Sequence, residues 1–380
     1  MLQPCQDQYH KTFDSYVDML VYHQTQESDS TWKRVPVNAL CVSSLDEDSP
    51  LYDDTSGFAP GITKDAINDT AENLGLAIQM EGLYYPVRST AYKSLLDRAK
   101  IGGSVLPKLK REDLAHILNA CLKLHKSEAL LLSREQKISA VHSGDETDYS
   151  TLSIEKLIAA VQCELNERFP KNVFDKGYSD HEITSACWSM PEQKDDLLAA
   201  YKKTLSDQGK SAIADKLTPG IRFSTSDTGI ASAKVSALIL GLQTPIHIGG
   251  VLSVDHRHKK TVEDFKDALT LLFAQYGDTI KKLEDLNNIY LNYPVNAMTA
   301  VSKKLSLPKK AALNAIGMFE MACGSENATA HDVFMALQEI MFILKTEGIA
   351  ESKRLVIEEN LSRALTIRWS DYDTVKAVSY

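Results

Sequence analysis

A chain of 380 residues, 43% hydrophobic and 24% charged, has the balance of an ordinary globular protein, with enough apolar material for two domains or one large domain and an appendage. Its net charge of −9 is lopsided: residues 1–60 hold Lys11, Lys33 and Arg34 against ten carboxylates, and the other 320 residues carry only −2. Strong bulk attraction to duplex DNA is thereby excluded, because phosphate affinity comes from clustered Lys and Arg, while a local cationic groove stays open.

No uncharged apolar run approaches the roughly 18 residues of a membrane span. The opening "MLQPCQDQYHKTFDSYVDMLVYH" lacks the basic start and apolar stretch of a signal peptide, so a cytoplasmic location is expected. The six cysteines (Cys5, Cys41, Cys121, Cys163, Cys187 and Cys323) are scattered, none within four residues of another. That spacing fits neither a zinc knuckle nor a disulfide framework; it reads as reduced thiols, mostly buried.

In chain order, "QYHKTFDSYVDMLVYH" reads as a short helix and "SSLDEDSPLYDDTSGFAPG" as a solvated, partly flexible acidic arm. From 62 to 125 the pattern is helical. Thr63 stands as a cap, Ser89 caps a Tyr92-Leu95-Leu96-Ala99 stripe stopped at Gly102-Gly103, and "KREDLAHILNACLKLH" follows. "EALLLSR", "EQK" and "ISAVHS" read as strand, turn and strand. Ser153 caps the next helix, and "SDHEITSACWSM" alternates like a half-buried strand. Residues 217–260 are strand-rich. Beyond Thr261 the chain turns helical, with breaks at Asn292-Tyr293-Pro294, Leu307-Pro308 and Gly324 and a capping turn at Thr329.

The order predicts an α+β fold: a mixed, largely antiparallel sheet with crossing helices, then an all-helical C-terminal region. The expected divisions are an acidic segment 1–60, a core domain 61–260, and a helical region 261–380 packed on it.

The densest candidate chemistry is "VLSVDHRHKK" (251–260). On a continuing strand His256 and His258 share one face, with the spacing of a two-histidine metal site, whereas Arg257 and Lys259 share the other. Arg257, Lys259 and Lys260 precede a Thr261 cap, a plausible grip on phosphate. Arg134 and Arg222 are expected to join that cleft. "GLYYPVRS" adds Tyr84, Tyr85 and Arg88, rings plus a cation as single-strand binders use. The turn "TSDTG" crowds Ser226, Asp227 and Gly229 between two strands, where Asp227 can hold a cation, orient a ligand hydroxyl or merely satisfy backbone. No nucleotide loop, GxSxG or HExxH is present, and no cofactor is expected.

Four stretches together resemble the phage/plasmid-like protein family, a domain of unknown function found in mobile elements. "YYPVRSTAYKSLLDRAKIGGSVLPKL" (84–109) looks like the family's early module. "LLLSREQKISAVHSGDETDYSTLSIEKLI" (130–158) places Arg134, Ser143, Tyr149 and Leu152 as the family does. "GIRFSTSDTGIASAKVSALIL" with "VDHRHKK" is similar to its polar turn, long strand and Arg-His pair. "TAHDVFMALQEIMFILKTEGIAESKRLVIEENLSRAL" is similar to its closing helices. The chain departs where the family has Cys-x-Asn-Gly, here "LGLQTPIHIGG", and where the turn's Asn and Glu read Thr225 and Asp227.

The resemblance implies a phage or plasmid setting, near DNA processing and anti-defence functions. The leading expectation is a non-enzymatic, nucleic-acid-associated protein, an oligomeric single-strand binder or annealer. The alternatives are an anti-defence or host-takeover factor that binds a host protein, and, least favoured, a metal-dependent hydrolase around His256, His258 and Asp227.

Overall fold

The strand pair Thr218–Thr225 and Ala233–Leu240 shows why the main sheet forms where it does. Ile221, Phe223, Val235, Ala237 and Ile239 alternate into an apolar core, and Arg222, Ser224, Lys234 and Ser236 take the opposite face. In the computed structural model, which describes residues 2–323, 328–376 and 378–380, this pair lies within a six-stranded antiparallel sheet. Its order is His10–Phe13, Val173–Asp180, Thr184–Ser189, Thr218–Thr225, Ala233–Leu240 and Ile246–Val254. A second sheet orders Thr31–Pro36, Glu128–Arg134 and Lys137–Ser143, and a third orders Cys41–Ser44, Leu76–Met80 and Leu83–Pro86. The protein is α+β, as its patterning predicts.

The hairpin read at 128–143 is there. Its two-residue turn, Glu135 and Gln136, has φ of 49° and 70°, the doubly left-handed conformation that follows strand twist. Thr63 and Ser153 cap their helices through the hydroxyl, and Thr261 and Thr329 form capping boxes with Asp264 and Asp332. The helix Ala91–Ala99 stops at a left-handed Lys100, ahead of the Gly102-Gly103 expected to end it. The helical tail runs Val262–Leu269, Leu272–Asp285, Pro294–Lys304, Lys309–Cys323, Ala330–Thr346 and Glu351–Ser362. The break read at Gly324 lies outside the described residues.

The cores divide the chain differently from the expected boundaries at 60 and 260. One apolar cluster runs from Val37 to Val141 and fills the space around the two small sheets. The larger joins Phe13 and Met19, the helix Ile154–Arg168, the inner face of the large sheet and the C-terminal helices through Trp369. The first sixty residues do not stand apart: they supply one strand to each of the three larger sheets, and Leu45 and Phe58 are buried. A fourth, two-stranded sheet pairs Tyr290–Leu291 with Ala328–Thr329 in the region expected to be all-helical. Their acidity has a structural use. Asp7 accepts from Lys137 Nζ at 2.9 Å and from the Ser89 N–H at 2.9 Å, and Lys137 also pairs with Asp69. Arg88 lies between Asp7 (3.7 Å) and Glu135 (3.6 Å). Lys137 and Arg88 are fully buried. Burial alone would raise the Asp7 carboxyl, but Lys137 and the Ser89 hydrogen bonds hold it below its ordinary value.

Leaving a buried carboxylate without its cation is costly. Lys137→Ala is therefore expected to lower unfolding free energy by roughly 3–5 kcal/mol, read from urea denaturation, because Asp7 and Asp69 lose their shared partner.

Candidate functional site

The turn after Thr225 is a buried joint between the two cores. The Ser226 hydroxyl accepts from the Thr228 N–H at 3.2 Å and donates to the Glu182 carbonyl at 2.5 Å. The Asp227 carboxylate receives Arg134 Nη2 at 2.6 Å, while Arg134 Nε donates to Ser30 Oγ at 2.8 Å. The Asp227 carbonyl accepts from His142 Nε2 at 2.7 Å and from the Tyr149 hydroxyl at 2.9 Å. The Asp227 carboxylate is thus taken by an arginine of the chain itself. Gly229 closes the turn at φ +76°, and a Cβ there would stand 3.2 Å from His142 Cε1.

His142 and Tyr149 stack at 3.5 Å and 5°. Trp32 flanks both at 6.1 Å, and His256 lies 5.7 Å beyond Tyr149. The hydrogen bonds assign the tautomers. His142 donates from Nε2, whereas His256 donates from Nδ1 to the Ser150 carbonyl (3.3 Å) and accepts the Thr225 hydroxyl at Nε2 (3.2 Å). Both rings are neutral: burial pushes His142 down to about 4 and lowers His256. Burial likewise drives the Tyr149 hydroxyl well above its ordinary value, so it stays a proton donor.

One edge of this stack lines a cleft of about 840 Å³. Its first wall is the helix Ala91–Ala99, held on the Lys137–Ser143 edge strand by Ser94 Oγ, which accepts from the Val141 N–H at 2.9 Å, and by Thr90 Oγ1, which donates to the Ser139 carbonyl at 2.8 Å. That wall presents Lys93, Arg98 and Lys100. The opposite wall, from residues 228–232 and 255–257, presents Arg257. These four cations have no ion pair among the described residues, and Arg98 Nε is buried without a hydrogen-bond partner. Asp97, Asp148, Glu182 and Asp255 line the same cleft, so its formal charge is balanced.

Of the expected cationic set, only Arg257 reaches this cleft. Arg134 is spent on Asp227. Arg222 points from the large sheet's outer face to Glu358, at 2.5 and 2.7 Å from its two oxygens. Arg88 is the buried pivot of the N-terminal ion network, and Tyr84 packs on Phe58 in the third sheet, paired in register beside Tyr85. Lys260 pairs with Asp264 at 3.0 Å, and Lys259 is exposed outside the cleft.

The strand alternation expected through residue 260 stops at Val254. The chain then bends back, Ser150 N–H to the His256 carbonyl at 2.9 Å, His258 N–H to the Thr147 carbonyl at 3.0 Å and Lys259 N–H to the Glu146 carbonyl at 3.1 Å. His258 and Lys259 are left-handed there, at φ 58° and 57°. His256 faces the interior and His258 solvent, so the two share no metal-facing side. Among the described residues no group of three His, Cys, Asp or Glu is placed to hold a metal. The thiols are not mostly buried as expected: Cys5 is buried, Cys121, Cys187 and Cys323 are half-buried, and Cys41 and Cys163 are exposed.

Lys93, Arg98 and Lys100 were not singled out by sequence reasoning. Their only signal is the i, i+7 spacing of Lys93 and Lys100 in a stretch read as helical; the helix itself ends at Ala99, and Lys100 follows it at φ 54°. No family model, no curated protein and no solved structure matches this chain.

The buried neutral histidines predict acid sensitivity. Because His142 is lowered from about 6.5 to about 4 on folding, the unfolded chain binds the proton more tightly. Stability is therefore whole above pH 6.5 and falls as pH drops toward 4, with His142 contributing on the order of 3 kcal/mol. His142→Gln should flatten the slope of unfolding free energy against pH in that window, measured by urea denaturation at successive pH values.

Proposed function

We propose that this chain is a non-enzymatic protein of a phage or plasmid that holds single-stranded nucleic acid in the cleft between the helix Ala91–Ala99 and the turn at 255–257. The observation that carries the reading is the convergence of Lys93, Arg98, Lys100 and Arg257 on one cleft with no carboxylate claiming them. Unpaired cations keep their full attraction for phosphate, and an Arg on each wall suits bidentate contacts to a backbone passing between them.

The half-buried ring of Tyr92 and the hydroxyls of Ser89, Thr90, Thr228 and Ser232 line the same space. Rings and hydroxyls beside cations suit a strand whose bases are unpaired. The imidazoles favour binding over chemistry: the ring nitrogens of His256 and Nε2 of His142 are committed to internal hydrogen bonds. The four lining carboxylates limit how many phosphates the cleft takes, and the −9 net charge opposes a long duplex footprint.

Fluorescence anisotropy with labelled oligo(dT) tests this. Binding at low ionic strength should weaken with salt at a slope of a few phosphates. Arg98→Gln with Arg257→Gln should cost at least tenfold in affinity and reduce that slope by about 1.4. Native protein that shows no salt-sensitive binding overturns the reading.

A further inference from the structure

The outer face of the six-stranded sheet carries two further cations, and both are already occupied. Arg222 and Lys234 stand on adjacent strands, on the face away from the apolar core, with Ser224 and Ser236 between them. The next strand adds His247, an imidazole that burial pushes down to about 4 and so keeps neutral. Over them lies the helix Glu351–Ser362. Glu358 receives Arg222 through both carboxylate oxygens and has His247 Nδ1 at 3.3 Å. Glu359 takes Lys234 Nζ at 2.5 Å, and Glu351 lies 4.0 Å from Arg222.

The apolar hold on this helix is smaller: Leu361 is buried and Ile357 packs half-buried on the large core. Of its apolar side chains Leu355, Val356, Ile357 and Leu361, only Leu361 is fully buried, and Val356 is 54% exposed. Cavities of about 350 and 410 Å³ remain along it, the first lined by His247, Ser236, Leu355 and Glu358, the second by Lys234, Lys282, Glu359 and Arg363. His247 Nδ1 and Arg354 Nε are buried there without a hydrogen bond. The contact is electrostatic and loosely packed, whereas the chain on either side is anchored by Leu344 and Trp369.

We propose that this face is a second anion-binding surface, for a polyphosphate chain, and that the helix Glu351–Ser362 is its built-in competitor, with carboxylates standing where phosphates would. Arg222 Nη1 reaches both oxygens of Glu358, and the same nitrogen can donate to the oxygens of a phosphate placed there. The buried Arg222 is never left bare in the exchange, because one anion replaces another; an unpaired guanidinium there would be prohibitively costly. The surface is separate from the cleft of Arg98 and Arg257, and the inference does not rest on that reading.

The test measures binding of inorganic polyphosphate and, in parallel, of labelled oligo(dT) at low salt. Glu358→Gln with Glu359→Gln, shown folded by circular dichroism, should bind at least tenfold more tightly than the native chain. Adding Lys234→Gln should remove most of the gain, and adding Arg98→Gln with Arg257→Gln should leave it. A gain for polyphosphate alone assigns the face to free polyphosphate; a gain for both assigns it to the phosphate backbone in general. A folded variant with no gain, or a gain that disappears with Arg98 and Arg257, overturns the proposal. If the double variant does not fold, hydrogen exchange on the native protein decides. Saturating polyphosphate should speed exchange of amides 351–362 at least tenfold, and unchanged protection overturns the inference.

Discussion

Asp227 is held at both ends of its residue, and that double hold fixes how the two cores meet. Its carboxylate takes Arg134 and its carbonyl takes His142, both from the second sheet, while its own backbone belongs to the turn of the large sheet. A carboxylate only 9% exposed is tolerable only when paired, and the same holds for the guanidinium it meets. Neither core can shift against the other without breaking the pair or the stack of His142 on Tyr149. The positions of residues 228–232 and 255–257 follow from this joint, and with them one wall of the cleft.

Local features were readable in the residues because short-range physics decides them. Caps at Thr63, Ser153, Thr261 and Thr329 need only a hydroxyl ahead of an apolar run, and the hairpin at 135–136 needs only alternation and a turn. The partners of the arginines were not readable. Asp227 is 93 residues from Arg134, and Glu358 is 136 from Arg222; nothing local separates a cation with a buried carboxylate from one without. The grouping of Arg134, Arg222 and Arg257 failed for that reason.

The end of the strand at Val254 illustrates a different limit. Period-2 alternation in "VDHRH" favours continuation, yet the backbone donors and acceptors of 256–259 are used by the loop at 146–150, one crossing in three dimensions with no trace in local pattern. The acidic N-terminal segment shows a similar limit. Glu47, Asp48, Asp53 and Asp54, in the stretch read as a solvated arm, are exposed, whereas Asp7, outside it, pairs with the buried Lys137, which also takes Asp69.

What distinguishes the cations of this protein is therefore desolvation. Lys137, Arg88, Arg134 and Arg222 are removed from water, and each has drawn in a carboxylate because the cost of burial demands one. Lys93, Lys100 and Arg257 remain in water, where an intramolecular pair would add little and none has formed. The second group alone is free to meet an outside anion without first breaking a bond. Since the cleft's own carboxylates cancel its formal charge, selectivity there must come from the placement of individual cations, not from the field of the whole surface. Exposed cations of that kind act over a short range and are steeply screened by salt.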